Sequence, residues 1–224
     1  MKRLIRQFPV KMFVRNQRGG FGLAKQFRED YPNDQDIQTV AEKREWTDEA
    51  LRALPRDGQK CELLGGALVV SPTGFQHGYI SSRLSTALSA FAFKRRLGVV
   101  VDSCTGFRLK NGDCLSPDVS FVRKERLQKG ITQQFFQRAP DLAVEVLSPG
   151  ESLASIRRKL AAYFADGTRL AWVVNPKDTT VRVYHSPRRF GCLRCEDSLH
   201  GEDLLPGFAL PVAALFKVPD FGPD

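Results

Sequence analysis

The segment that most restricts the fold is Leu142-Ala143-Val144-Glu145-Val146-Leu147, set between Pro140-Asp141 and Ser148-Pro149-Gly150. It is apolar on both alternating faces save for one carboxylate, so it reads as a strand buried from two sides. Behind it, apolar positions 153, 156, 160 and 164 fall at helical spacing, and Asp166-Gly167 closes a helix expected over about 152–165. A second buried strand follows at 170–174. Such a strand–helix–strand succession makes parallel neighbours joined by a right-handed crossover. The expectation is an α/β fold whose sheet is covered by helices.

Other segments make that sheet mixed. Asn111-Gly112, between apolar runs at 107–109 and 115–122, predicts an antiparallel hairpin. Gly65-Gly66 predicts another within 60–71. Thr47 is placed to cap a short helix over 48–54, and apolar positions 80, 84, 87, 88 and 91 predict a long one over about 76–97. Strands are expected at 99–102 and, after the turn at 175–178, at 180–184.

The chain has 224 residues, 42% of them hydrophobic, enough for one domain with its own core. No apolar run is long enough to cross a membrane, and no secretory signal is recognisable, so a cytoplasmic, membrane-free protein is expected. Lys and Arg number 34 against 25 acidic residues, a formal charge of +9. That surplus is uneven: residues 1–28 carry eight basic side chains and no acidic one, and residues 83–169 carry fifteen against eight. Residues 1–45 therefore read as a basic, flexible extension and linker, 46–217 as the domain, and 218–224 as a tail.

Glu145 is the chemical oddity, because a carboxylate in an apolar strand needs a partner, a proton or a cation. Asp118, directly after Pro117, enters another apolar strand. Two carboxylates on adjacent strands would offer hard oxygen ligands to Mg²⁺ or Mn²⁺, and such an ion can activate water against a phosphodiester. On the following helix, at about 100° per residue, Lys159 and Arg157 border the apolar stripe while Arg158 points away. A border lysine can deliver its ammonium to a strand edge, where it would stabilise charge developing on phosphorus.

Four stretches then resemble the Uma2 family: Ser-Pro-Asp-Val-Ser-Phe-Val at 116–122, Pro-Asp-Leu-Ala-Val-Glu-Val-Leu-Ser-Pro at 140–149, Lys-Leu-Ala-Ala-Tyr-Phe-Ala-Asp-Gly at 159–167 and Trp-Val-Val-Asn-Pro at 172–176. The similarity runs from about Trp46 to Phe216. It implies a restriction-endonuclease-like mixed β-sheet flanked by helices with an N-terminal β-hairpin, of the PD-(D/E)xK type. It also implies that Asp118 and Glu145 hold the metal, with the Val146 carbonyl, and that in-line attack of water leaves 5′-phosphate ends. The motif lysine would stand two residues after the glutamate, where this chain has Leu147, so the resemblance points to Lys159. His77 and Glu62 match further family positions, while Gly65 and Ala67 replace acidic residues of the family's hairpin.

The resulting expectation is a Mg²⁺- or Mn²⁺-dependent endonuclease acting on DNA. The alternative is a catalytically inactive protein that binds nucleic acid or another partner on the same fold. Double-strand cutting on such folds commonly uses two active sites, which admits a homodimer by analogy. The expected phosphate contacts are Lys94, Arg95, Arg96, Arg123, Lys124, Arg157 and Arg158. Cys192-x-x-Cys195 supplies half of a zinc knuckle, whose completion would need Cys104 and Cys114, or His185 or His200. There is no GxGxxG, Walker, GxSxG or HExxH motif.

Overall fold

The computed structural model describes residues 13–15, 21–23, 46–53, 60–71, 74–127, 130–149, 153–220 and 222. Most of the basic extension and its linker, the expected end of the first helix at Leu54, and the segments 128–129 and 150–152 lie outside these residues. The first elements are β1 (Phe13–Arg15), β2 (Phe21–Leu23), α1 (Asp48–Arg52), β3 (Lys60–Leu64), β4 (Ala67–Ser71) and α2 (Phe75–Arg95). Next come β5 (Gly98–Asp102), β6 (Phe107–Arg108), β7 (Cys114–Leu115), β8 (Val119–Arg123), β9 (Phe136–Gln137) and β10 (Leu142–Val146). The chain continues through α3 (Leu153–Ala165), β11 (Leu170–Asn175), β12 (Thr180–Tyr184), β13 (Phe190–Leu193), β14 (Ser198–His200), β15 (Ala209–Pro211) and α4 (Ala213–Phe216).

The crossover expected from the sequence is present. β10 pairs in parallel with β11, from Leu142↔Leu170 to Val146↔Val174, and α3 connects them. These two strands sit inside a six-stranded sheet of order β13-β12-β11-β10-β8-β5 whose other pairings are antiparallel. Alternation sorts the side chains. Leu142, Val144, Val146, Leu170, Trp172 and Val174 pack in one core with Ile80, Leu84 and Leu88 of α2. Ala143, Ala171 and Val173 pack on the opposite side with Ile156, Leu160 and Tyr163 of α3 and with Phe107 and Leu115. Glu145 alternates onto that second side, which is why its carboxylate meets α3 rather than α2.

The described residues form three sheets: the six-stranded one, a seven-stranded one and the pair β14–β15. The hairpin β3–β4 turns at Gly65 and Gly66, both at positive φ (60° and 78°), as a two-residue turn requires. It joins β1, β2, β6, β7 and β9 in a second sheet of order β2-β1-β4-β3-β7-β6-β9. The β6–β7 turn is wider than a bare Asn-Gly hairpin, because Asp113 is used elsewhere: its Oδ1 accepts from the Gly65 amide at 2.7 Å, and its Oδ2 accepts from Asn111 Nδ2 at 2.8 Å. Thr47 caps α1 as expected, its Oγ1 accepting from the Ala50 amide at 3.1 Å. In α3 the buried ring is Tyr163, not the Phe164 of the expected stripe, because Ile156, Leu160 and Tyr163 (i, i+4, i+7) hold the inner face.

Close approach of α2's exit to β8 fixes one glycine. A Cβ at Gly98 would stand 2.1 Å from the Val122 carbonyl oxygen. Gly98→Ala is expected to cost about 1–3 kcal/mol through overpacking, read as a lower urea midpoint at unchanged slope.

Candidate active site

Seven side chains from four elements and one strand approach converge at one end of the β8–β10 pair. The Asp118 amide donates to the Val144 carbonyl at 2.9 Å, which extends the antiparallel ladder by one residue beyond Val144↔Val119. That register sets Asp118 opposite Glu145. The carboxylate of Asp118 accepts from the Val146 amide at 2.8 Å through Oδ2, and His77 Nε2, in the first turn of α2, lies 3.0 Å from the same oxygen. Oδ1 accepts from Lys60 Nζ at 2.9 Å. Lys60 and Glu62 are two apart in β3 and share a face, so the hairpin brings both inward. Glu62 accepts from the Ser116 amide at 2.8 Å and pairs with Lys159 Nζ at 2.8 Å. From α3, Lys159 Nζ also donates to Glu145 Oε2 at 3.1 Å, and Tyr163 OH donates to Oε1 at 2.6 Å. Lys159 and Tyr163 can act together because i and i+4 stand on one helical face.

The electrostatics of the cluster follow from burial and from three carboxylates facing two ammonium groups. Burial pushes the Glu145 carboxyl up to about 7; Lys159 and Lys60 oppose the rise, and the like charges of Asp118 and Glu62 add to it. For Asp118 burial acts in the same sense, but the Lys60 ammonium, His77 and the Val146 amide outweigh it and hold the group well below the usual carboxylate range. Glu62 is likewise held low, by Lys159 and Lys60 against its burial. Lys60 is held above the usual ammonium value, because Glu62 and Asp118 overcome its desolvation. Burial, then Glu145, raises the Tyr163 phenol well above its ordinary value and keeps it a donor.

The profile of Uma2, described as "Putative restriction endonuclease", matches residues 48–213. The chain belongs to the Uma2 family. Its fold is that of a crystal structure described as a "putative nuclease belonging to DUF820" from Anabaena variabilis, with a TM-score of 0.68 and 20% identity over 76% of this chain and 97% of that one. At that identity the likeness establishes the fold. None of the curated proteins compared matches the chain.

In this Uma2 chain the structure brings together Asp118, Glu145, Lys159, His77 and Glu62, all buried. Lys159 is inside the core rather than on the helix border expected for it, whereas Arg157 and Arg158 are exposed. Two members were not read from the sequence. Lys60 lies 58 residues from Asp118, and Tyr163 had a signal in its i+4 spacing from Lys159. The expected phosphate contacts separate into two groups. Arg157 and Arg158 directly precede Lys159 in α3. Lys94, Arg95 and Arg96 lie at the opposite end of α2 from His77, about 27 Å away at 1.5 Å per residue. Lys124 joins that far group, since its amide donates to the Leu97 carbonyl at 2.9 Å. Arg123 is engaged within the fold, with Nε 3.1 Å from Asp141 Oδ1.

The chemistry of the donor set fits a hard divalent cation. Two of the three carboxylates stand opposite each other on neighbouring strands, and their mutual repulsion is of the kind such an ion relieves. Among the described residues no three His, Cys, Asp or Glu side chains form a closed metal-binding group. An ion here would therefore use one or two carboxylates with water and substrate oxygens, as Mg²⁺ commonly does. Among the described residues no His, Cys, Asp or Glu group completes a zinc site around Cys192 and Cys195, and His185 pairs with Glu202 at 2.8 Å. No helix among the described residues is long and apolar enough to cross a membrane.

Proposed function

We propose that this Uma2 protein is a divalent-metal-dependent endonuclease that hydrolyses DNA phosphodiester bonds. The observation that carries this reading is the placement of Asp118 opposite Glu145, both buried and both hydrogen-bonded to ammonium groups. Asp118, Glu145 and the Val146 carbonyl would hold Mg²⁺ or Mn²⁺. When bound, the ion polarises the phosphodiester and lowers the pKa of water. The chain's own residues supply the rest. Tyr163 and Lys159 fix the two oxygens of Glu145, and His77 with the Val146 amide fixes Asp118. An ammonium group beside these carboxylates would stabilise the charge that grows on the phosphoryl oxygens. The family and the fold of its neighbour agree with a nuclease-like activity.

The test is conversion of supercoiled plasmid by the full chain with Mg²⁺ or Mn²⁺, and none with EDTA. Plasmid left intact under every metal condition contradicts the proposal and favours a binding protein on the same fold.

The far basic group makes a separate prediction. Lys94, Arg95 and Arg96 lie too far from Asp118 to touch the scissile phosphate, so they would grip duplex some eight base pairs away, at about 3.4 Å per pair along each strand. Replacing all three with alanine is expected to weaken binding of a 30-base-pair duplex and to lower its salt slope by roughly 0.9 per lost contact. Binding of a 10-base-pair duplex is expected to stay unchanged. Fluorescence anisotropy across a salt series checks both.

A further inference from the structure

The two lysines of the site are not equivalent. Lys159 Nζ lies between two carboxylates, 2.8 Å from Glu62 Oε2 and 3.1 Å from Glu145 Oε2, and its side chain is 8% exposed. Its charge is matched twice over, and the groups it ties together come from different layers of the fold, β3 and β10. Among the described residues, Lys60 Nζ has one carboxylate within ion-pair distance, Asp118 at 2.9 Å, and its side chain is 13% exposed. Glu62, Asp118 and Glu145 are only 3–4% exposed, so Lys60 is the charged member of the cluster that most nearly reaches solvent.

We propose that Lys60 is the catalytic ammonium that contacts the scissile phosphate, and that Lys159 is a positioning residue holding Glu145 and Glu62. This rests on the nuclease reading above. A substrate must approach the cluster from its solvent side, where Lys60 stands. Its four-carbon stem lets Nζ reach a non-bridging phosphate oxygen while β3 stays in place. An ammonium has three donors, so it can keep one hydrogen bond to Asp118 and give another to phosphate. Lys159 has no comparable freedom, because leaving either carboxylate strands a buried negative charge. The hairpin β3–β4 thereby becomes part of the active site rather than a cover over it. The reaction gains no covalent intermediate from Lys60: the ammonium offsets negative charge as the attacking water oxygen bonds to phosphorus and the leaving oxygen departs.

The experiment compares the full chain with Lys60→Met and Lys60→Arg in three readouts: single-turnover cleavage of duplex DNA in Mg²⁺, Mn²⁺ affinity by calorimetry, and thermal melting. Lys60→Met is expected to slow cleavage by about 100-fold or more, the scale seen when one transition-state donor is lost. Its Mn²⁺ affinity is expected to be unchanged or tighter, because a cation next to Asp118 has been removed. Lys60→Arg keeps a cation and is expected to recover at least a tenth of the wild-type rate. Lys60→Met cleaving within about threefold of wild type overturns the proposal, and so does a loss of Mn²⁺ affinity that parallels the loss of cleavage, since Lys60 would then only hold Asp118. If Lys60→Met does not fold, Lys60→Arg decides, and a folded but inactive Lys60→Arg with weakened Mn²⁺ binding also overturns it. A wild-type chain inert in all metal conditions overturns the nuclease reading and Lys60 with it. An active wild type beside an equally active Lys60→Met overturns the Lys60 assignment alone.

Discussion

Asp118→Asn is expected to lower metal-dependent cleavage by roughly a thousandfold or more while leaving the chain folded. The size follows from what is lost. A bound divalent ion supplies several kcal/mol of transition-state stabilisation, and each 1.36 kcal/mol is a factor of ten in rate. Asparagine keeps the shape of the side chain and one acceptor oxygen, so the 2.8 Å hydrogen bond from the Val146 amide can persist. The charge is removed, and a neutral amide oxygen is a poor substitute in a site built on hard anionic donors. Circular dichroism and a melting curve on the same preparation separate loss of chemistry from loss of fold. Asp118→Asn with cleavage within tenfold of wild type removes Asp118 from the metal site.

Lys159→Met is expected to act on stability first. The side chain is buried between Glu62 and Glu145, and methionine fills much of its volume without its charge. Removing one partner from a buried ionic group costs about 3–5 kcal/mol, because the groups left behind remain out of water. For a domain of this size that lowers the melting temperature by roughly 6–20 °C. The loss has a defined pH dependence. Without Lys159 the Glu145 carboxyl, already raised, binds its proton more tightly still in the folded chain, so its contribution to stability falls as pH rises from the unfolded value towards the folded one. Glu62 loses the ammonium that does most to hold it low. Glu145, already at about 7 with Lys159 present, moves higher still. The deficit relative to wild type is therefore expected to be larger at pH 8 than at pH 5. Melting curves at both values check it, and a deficit independent of pH contradicts the clamp role.

Much of this architecture was legible in the sequence for local reasons. The β10–α3–β11 crossover follows from two apolar strands, a helical stripe and the breakers around them. Glu145 identified itself by being the one charge in its strand. Asp118 was legible through its proline and the apolar run after it, but its position opposite Glu145 came only with the observed register. Lys60 was not legible at all, since a lysine at the start of a hairpin is ordinarily solvated. The role proposed for it depends on β3 pairing with β7, at Leu63↔Cys114, and on the second sheet sharing the α3-side core, both long-range facts. The helical wheel gave Lys159 the correct side of α3 and too little depth, because β3 covers that border with Glu62. Proximity along the sequence also misled for charge. Arg123 is five residues from Asp118 but runs along the strand to the far end, where Asp141 receives it.

In the proposed nuclease Asp118 and Glu145 together would hold one divalent ion. Calorimetric titration of Mn²⁺ into the full chain, Asp118→Asn and Glu145→Gln tests it without relying on any substrate. One saturable site per wild-type chain, weakened at least about tenfold in each variant, is the predicted result. Equal Mn²⁺ affinity in all three proteins would contradict it.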